Sequence, residues 1–424
     1  MQYLTEWLKK WVVFAVFLIP LVGVSQKLTL QQVYDSAKNN YPLLKQKQII
    51  EQTKELTINN LSKGLLPQVN ISAQATYQSE VTKVNIPIPG VSIDPLSKDQ
   101  YRIVADVSQT LYDGGITKQQ KELQLLNANA ENQKIEVELY KLKERVAQVY
   151  LSVLFIDEQL KQTELLKADI QSGIKKVQAQ VSNGVAFKSN VNVLKAQLLQ
   201  TNQKQIELVS TRKGLIDVLG VLMQQPIKAT VQLEQPILSS IVQNIVRPEL
   251  ALFDNQSKFI AQQNQLIKAK NLPKISVFAQ GGYGRPGLNM LKNTFEPFAI
   301  GGLRLNWSLG NLYTEKKEKQ LVVLNQQSIQ IQKENLLLNI NAQEKQQLAD
   351  IDKINALITT DIEIIEVRES IKNAANAQLE NGVITANDYL REVTAEDLAK
   401  QALITHKIQL IQSQITLQLI RGQF

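Results

Sequence analysis

The sequence predicts an α+β membrane protein in which four amphipathic strands and two pairs of very long helices form two internal repeats. Three observations lead to this fold class. Short stretches alternate strictly between apolar and polar residues, two long helical stretches contain no proline, and the same order of segments occurs twice along the chain. With 424 residues, the chain is long enough for several ordinary domains or for one elongated architecture.

The predicted strands each have one apolar and one polar face. LPQVNISAQATYQ, from Leu66 to Gln78, places Val69 and Ile71 on one side and amide and hydroxyl side chains on the other. A soluble sheet with one solvated face shows this pattern, and so does a transmembrane barrel strand with lipid on one side and water on the other. The soluble alternative is a four-stranded sheet packed on helices, which leaves the consistently polar second face unexplained.

On the barrel interpretation, polar side chains line an aqueous lumen and aromatic side chains lie at the membrane interfaces. The lumen-facing candidates are Gln68, Asn70, Ser72, Gln74, Arg102, Asp106, Lys274 and Arg304. The interface candidates are Tyr77, Tyr101, Tyr283 and Trp307. A single chain would leave two open sheet edges in lipid, so several chains would have to close the barrel together, two giving eight strands and three giving twelve.

The long helices follow the strands in each half of the chain. They are predicted from about Thr117 to Val181 and from about Thr314 to Leu379, and at 1.5 Å per residue each reaches on the order of 100 Å. Apolar residues recur at spacings of three and four, which indicates a coiled-coil seam. Turns with Gly184 and Gly382 then lead into return helices. The remaining predicted helical stretches are Leu30 to Lys63, Glu249 to Lys270, Asn190 to Leu222 and Asn387 to Arg421.

The internal repeat sets the predicted domain boundaries. LPQVNISAQA from Leu66 matches LPKISVFAQG from Leu272 at an offset of 206 residues. After the strands, SNGV from Ser182 matches ENGV from Glu380 at an offset of 198, which indicates a longer first loop between strands. The predicted domains are a signal peptide (1–25), a first repeat (26–222), a linker (223–247) and a second repeat (248–424).

The N-terminus has the features of an export signal. Two lysines precede the apolar run WVVFAVFLIPLVGV, from Trp11 to Val24, which is too short to span a bilayer as a helix. Gly23 and Ser25 are small residues suited to the −3 and −1 positions of a cut after Ser25. No other apolar run is long enough for a transmembrane helix, so we expect an exported chain whose membrane insertion uses strands.

Composition restricts the remaining functions. The absence of cysteine excludes a disulfide scaffold, thiolate metal sites and a thioether lipid anchor. The net charge is +8 without a dense basic block, so we expect a solvated surface and no nucleic-acid partner. His406 is the only histidine, and it leaves no Ser/His/Asp set. We therefore predict that the chain is not an enzyme, binds no metal or cofactor, and uses His406 as a surface or packing residue.

Several stretches carry a family resemblance when taken in order. They are LTLQQVYDSAKNNYPLLK, LLPQVNISA, QTLYDGGITKQQ, NGV followed by NVNVLKAQ, RPEL, LPKISVFAQ, NWSLGN and ENGVITANDYLREVTA. Each is weak alone, but their order, duplication and spacing resemble the TolC-type outer-membrane efflux family over essentially the whole mature chain. The resemblance implies a homotrimer whose chains form a twelve-stranded barrel in the outer membrane, continued by an α-helical coiled-coil tunnel in the periplasm.

The resemblance also implies a function and partners. Such proteins are exit ducts that passively conduct cargo out of the cell in tripartite efflux pumps or type I secretion systems. A periplasmic adaptor (membrane fusion) protein joins them to an inner-membrane RND or ABC transporter. The alternative is an exported periplasmic coiled-coil scaffold without channel activity, in which the strands form a small soluble sheet.

In the family, the helical turns form a periplasmic constriction that gates the duct. The candidate gate residues here are Asn183, Gly184, Asn192, Lys195, Asn381, Gly382, Asp388 and Arg391. Family members often carry carboxylates on the return helix; Asp388 occupies such a position, but Arg391 follows it and the first repeat has no acid there. This departure argues against a strongly cation-selective entrance. Asp388 also suits the first turn of a helix, where an acid complements the helix dipole.

Overall fold

The computed structural model of the chain describes residues 27–83, 95–237 and 244–423, and the predicted signal peptide lies outside them. Seven α-helices, one short 3-10 helix and four strands follow one another in the described residues. In chain order they are α1 (Leu30–Asn40), α2 (Leu44–Lys63), β1 (Gln68–Tyr77), β2 (Asp99–Tyr112), α3 (Ile116–Ser182), α4 (Lys188–Met223), α5 (Pro248–Lys270), β3 (Lys274–Arg285), β4 (Glu296–Asn306), a short 3-10 helix (Leu309–Asn311), α6 (Leu312–Glu380) and α7 (Ala386–Arg421).

The four strands form one antiparallel sheet in the order β1-β2-β3-β4. β2 from the first half of the chain pairs with β3 from the second half, with Val107 opposite Ala279. Strands β1 and β4 are therefore the two open edges of the sheet. The α+β fold class and the positions of all four strands are as predicted.

The long helices have almost the predicted bounds. α3 has 67 residues and α6 has 69. One predicted helical stretch is wrong in detail, because residues 30–63 form two helices. The break is at Tyr41, which has an extended conformation (φ −66°, ψ 124°). Tyr41 precedes Pro42, and a residue before proline is disfavoured in the helical region by a clash with the pyrrolidine ring.

The chain divides into two compact units, each built from segments of both halves of the sequence. The first comprises Met1–Tyr41, Leu139–Ile245 and Ala342–Phe424, and the second comprises Pro42–Glu138 and Val246–Asn341. The second unit contains the sheet, and the first contains both helical turns. None of the helices in the described ranges is long and apolar enough to cross a membrane.

A buried apolar cluster joins four helices near the turns of the first unit. Its members are Ile170 and Val177 of α3, Val191 and Leu194 of α4, Ala375 and Leu379 of α6, and Ala386, Tyr389 and Val393 of α7. Their spacings of three, four and seven residues place them on one face of each helix. Burying a side chain of this size stabilises the fold by about 1.5–3 kcal/mol, so this seam holds the two helical hairpins together.

Candidate functional site

The sheet has an apolar face that stays exposed. Ile71 of β1 and Leu303 of β4 are each 74% exposed, and Val69 is 62% exposed. The strand register places Ile71 opposite Ala105 and Val277 opposite Leu303, so the apolar residues of neighbouring strands form one continuous surface. A soluble sheet would bury such a face against helices. A continuous exposed apolar surface of this kind marks contact with lipid or with another protein.

The opposite face carries every residue predicted to line a lumen. Cross-strand pairs place Asn70 beside Asp106, Gln74 beside Arg102 and Ser276 beside Arg304. The strand register therefore assigns to this one face Gln68, Asn70, Ser72, Gln74, Arg102, Asp106, Lys274 and Arg304. The amide nitrogen of Gln280 donates to Oδ2 of Asp106 over 3.2 Å, which links β3 to β2 on the same face.

Two phenylalanines interrupt this polar face, and the sequence analysis missed them. Phe278 and Phe298 lie in register with Gly302 and Gly282 of the neighbouring strand. The guanidinium carbon of Arg304 lies 4.6 Å from the centre of the Phe278 ring. The corresponding distance from Arg102 to Phe298 is 5.4 Å. The available signal was a single phenylalanine on the polar side of β3 and of β4, each opposite a glycine of the other strand.

The predicted interface aromatics lie at the two ends of the apolar surface. Tyr77, Tyr101 and Tyr283 are exposed near the strand ends that lead into the inter-strand loops, and Trp307 is exposed at the opposite end of β4. Tyr101 and Tyr283 stack on Phe295, with ring centres 6.2 and 5.7 Å apart. The indole nitrogen of Trp307 donates to the carbonyl oxygen of Asn271 over 3.0 Å.

The two helical turns share one backbone geometry. Gly184 and Gly382 have φ values of +72° and +71°, and both end a long helix. After each glycine, a valine N–H bonds back to a carbonyl five residues earlier: Val185 to Gln180 and Val383 to Gln378, each over 2.9 Å. These bonds satisfy carbonyl groups that the helix end leaves without a partner. Asn183 and Asn381 precede the glycines, and both are exposed.

Asp388 is part of the N-terminal cap of α7. The backbone N–H and the hydroxyl of Thr385 donate to Oδ2 of Asp388 over 3.2 and 2.7 Å, and the Asp388 N–H donates back to the hydroxyl oxygen over 3.3 Å. These bonds to Thr385 hold the pKa of the Asp388 carboxyl below its usual value, with the Arg391 charge adding to the effect. The carboxylate therefore stabilises the start of α7, independently of any role in gating.

The other candidate gate residues, in the return helices, are exposed. The guanidinium of Arg391 is 73% exposed and pairs with Glu392 over 3.0 Å rather than with Asp388. Asn192 and Lys195, at the matching positions of α4, are exposed. Phe187, which precedes α4, forms no side-chain cap and is 80% exposed.

A partly buried ionic cluster connects the second hairpin to α3. Nζ of Lys372 in α6 lies 2.7 Å from Glu396 of α7 and 3.1 Å from Asp169 of α3. Burial opposes the charge on Lys372, but its bonds to Glu396 and Asp169 outweigh burial and raise its pKa. The hydroxyl of Tyr389 donates to the carbonyl oxygen of Asp169 over 3.3 Å, and burial is the main reason that its pKa rises to about 12.

A cavity in the first unit contains an ion pair between two of its lining residues. Its volume is about 790 Å³, and it lies among α3, α4, α7 and the segment around residues 230–235. Arg212 forms an ion pair with Asp157 and donates to the carbonyl oxygen of Val231 over 2.6 Å. This arrangement fastens the linker segment to two helices.

The only histidine, His406, contacts a buried carboxylate. Nδ1 of His406 lies 2.5 Å from Oδ2 of Asp361, and the Asp361 side chain is buried. Within residues 27–83, 95–237 and 244–423, no group of three or more possible metal ligands lies close enough together to hold an ion.

Comparisons with known proteins agree with the fold. Residues 33–213 match the family model described as outer membrane efflux protein. The outer-membrane channel OprN is 14% identical, with a TM-score of 0.66 over 93% of this chain and 90% of its own. The open-state outer-membrane channel MtrE of Neisseria gonorrhoeae is also 14% identical, with a TM-score of 0.66 over 93% of this chain and 88% of its own.

A third solved structure matches along nearly its whole length. The outer membrane protein VceC of Vibrio cholerae is 14% identical, with a TM-score of 0.63 over 93% of this chain and 96% of its own. No curated protein matches this chain by sequence. At these identities the structural matches show a shared fold, and the family match confirms the resemblance predicted from the sequence motifs.

Proposed function

We propose that the chain is an outer-membrane exit duct, because residues 33–213 match the outer membrane efflux protein model and the fold matches solved outer-membrane channels. Three chains would close their sheets into a twelve-stranded barrel, and the long helices would form the periplasmic tunnel. The duct would conduct cargo passively as the last component of a tripartite efflux pump or a type I secretion system. It would receive that cargo through a periplasmic adaptor from an inner-membrane RND or ABC transporter.

The observation that carries this proposal is the four-stranded sheet with an exposed apolar face, a polar second face and two open edges. In lipid, each unpaired backbone group at an open edge costs several kcal/mol, so the edges must pair with other copies of the chain. Closure would place the apolar faces in the outer membrane and the polar faces around water. Our scaffold alternative instead leaves the apolar face in contact with water.

A pair of matched substitutions distinguishes the exit duct from the scaffold alternative. Ile71 and Ser72 are adjacent and exposed, but they lie on opposite faces of β1. Lysine at position 71 would face lipid and destabilise the barrel by about 2–4 kcal/mol, whereas lysine at position 72 would face water. We expect Ile71→Lys to abolish a detergent-dependent trimer in outer-membrane fractions and Ser72→Lys to retain it. A water-soluble mature chain, or equal recovery of both variants, would contradict the duct.

We further propose that the turns at Gly184 and Gly382 form the resting gate. Asp388→Ala or Arg391→Ala should raise the resting conductance of reconstituted protein, because each removes a contact at the turns. Asp388 has two possible roles, which Thr385→Ala separates, since this variant removes cap bonds but keeps the carboxylate charge. Increased conductance in both Asp388→Ala and Thr385→Ala assigns gating to helix capping. Unchanged conductance in all three variants would exclude these residues from the gate.

The same turns are the proposed contact region for the adaptor. Val185, Phe187 and Val383 are 71–80% exposed around the two glycines. Cysteines placed at Asn183 and Asn381 should cross-link to the adaptor, while a cysteine at Ser72 in the sheet should not. Cross-links formed only from the sheet position would contradict this arrangement.

A further inference from the structure

Two arginines on the polar face of the sheet lie over aromatic rings. Arg304 lies over Phe278 and Arg102 over Phe298, at 4.6 and 5.4 Å from the ring centres. Stacking of a guanidinium on an aromatic face combines cation–π attraction with plane-to-plane contact. Such a contact restricts the position of the guanidinium, and the N–H groups at the edge of its plane can still bind other groups.

Glycines provide the space that these stacks need. A Cβ atom at Gly282 would lie 2.5 Å from Cζ of Phe298 and 2.7 Å from the carbonyl oxygen of Ile103. A Cβ atom at Gly302 would lie 3.3 Å from Cε1 of Phe278. Each phenylalanine therefore covers the backbone of the neighbouring strand on one side and supports an arginine. The same construction occurs twice on this face.

Neither arginine is neutralised by a carboxylate. Among the residues that the structure describes, Arg102 and Arg304 take part in no ion pair, and both are exposed. The nearby acids have other partners: Asp106 accepts from Gln280 over 3.2 Å, and Glu296 pairs with Lys292 over 3.1 Å. The face therefore presents two arginines per chain whose charges form no ion pair among the described residues, alongside Lys274 and the carboxylate of Asp106.

We propose that the two arginine–phenylalanine stacks are binding stations for anionic groups on the exported cargo. This inference rests on the proposed duct, because only closure of the barrel gathers the stacks around one lumen. A planar guanidinium binds carboxylate, sulfonate or phosphate oxygens through two parallel charge-assisted hydrogen bonds. Two stations at different heights would allow an anion to pass from one to the next, as conduction requires sites that release what they bind.

The test uses detergent-extracted full-length protein and pyrene tetrasulfonate, a fluorescent tetra-anion, at low salt. We expect the probe to bind, and the double variant Arg102→Gln/Arg304→Gln to bind it at least about tenfold more weakly. Asp106→Asn should strengthen binding, because it removes a carboxylate that lies between the two stations in the strand register. Binding should weaken as salt rises, and a cationic pyrene of similar size should not bind.

Arg285 supplies the matched control. It also lies over aromatic rings, 5.5 Å from Tyr101 and 5.2 Å from Phe295, but it pairs with Asp99 and lies in register with Tyr101 of the apolar face. Arg285→Gln should leave probe binding unchanged. A trimer that fails to bind the probe, or binds it equally in the double variant, would overturn the stations but leave the duct intact. A monomeric wild-type protein would overturn both.

Discussion

The two helical turns have the same backbone but differ in what holds the helix that follows. Gly184 and Gly382 have nearly equal φ values and the same return hydrogen bonds. α7 begins with a capping box between Thr385 and Asp388, whereas α4 begins at Phe187 without a side-chain cap. The backbone of the turn therefore does not determine how firmly its return helix is anchored.

The second hairpin also has an ion-pair cluster close to its turn. Lys372 of α6 and Glu396 of α7 form an ion pair that also includes Asp169 of α3. Tyr389 of α7 packs on Gly173 of α3, where a Cβ atom would lie 2.7 Å from its ring. The second turn is thus fixed to the first hairpin by specific polar and steric contacts. If the turns form the gate, we expect opening to require breaking these contacts.

The largest expected effect comes from removing the central charge of this cluster. Lys372→Met leaves the buried Glu396 with Lys400 as its remaining partner, and should destabilise the hairpins by about 2–4 kcal/mol. Thermal unfolding of detergent-extracted protein measures this change. Lys353→Met on the same helix is the control, because Lys353 is 62% exposed and pairs with Asp350, so the cost should stay below about 1 kcal/mol. Equal losses in both variants would show that the cluster adds nothing beyond a surface ion pair.

The next largest effect is the loss of stability when a turn glycine is replaced, and it should be the same at both turns. A Cβ atom at Gly184 or Gly382 has no atom within 4 Å, so alanine there costs only left-handed backbone strain, about 1–2 kcal/mol. Gly184→Ala and Gly382→Ala should therefore lower the melting temperature by similar amounts. A clear difference between the two would mean that the turns do not share one geometry in the assembled protein.

The residues that precede α7 and α4 should differ in how much they stabilise the protein, and this effect should be smaller. Thr385→Ala removes the capping box and should cost about 1 kcal/mol. Phe187→Ala at the corresponding position before α4 breaks no capping bond and should change stability by no more than about 0.5 kcal/mol. The same thermal unfolding measurement compares the two variants. A larger loss of stability in Phe187→Ala than in Thr385→Ala would contradict a stabilising cap at α7 alone.

The smallest expected effect is a loss of stability at acidic pH. Hydrogen bonds from Thr385 lower the pKa of Asp388 from its ordinary value of 3.8, so the folded state favours the carboxylate. The cap therefore contributes stability above the unfolded pKa, and this contribution is lost as the pH falls through the folded pKa. Wild-type protein should lose more stability than Asp388→Asn as the pH falls below about 4. Parallel curves for the two proteins would show that the Asp388 charge does not act through the cap.

Much of this protein could be predicted from residue patterns that act locally. Strict alternation fixes strand faces, because successive side chains point to opposite sides of a strand. Proline-free stretches with glycine at their ends fixed α3 and α6 to within a few residues. The one error in helix bounds, at Tyr41, also has a local cause, which the sequence displays as Pro42. Asp388 was correctly placed in the first turn of its helix, where the capping box now gives it a specific role.

The sequence by itself determined the elements, the two faces of the sheet and a resemblance to the outer membrane efflux proteins, because periodicity and motifs are properties of neighbouring residues. Only the tertiary structure decided which residues meet across strands and helices. Phe278 meets Gly302 through the register of β3 and β4, and Lys372 meets Asp169 some two hundred positions away in the chain. Such contacts depend on how elements pack, and packing is set by many weak interactions acting together rather than by any short stretch of sequence.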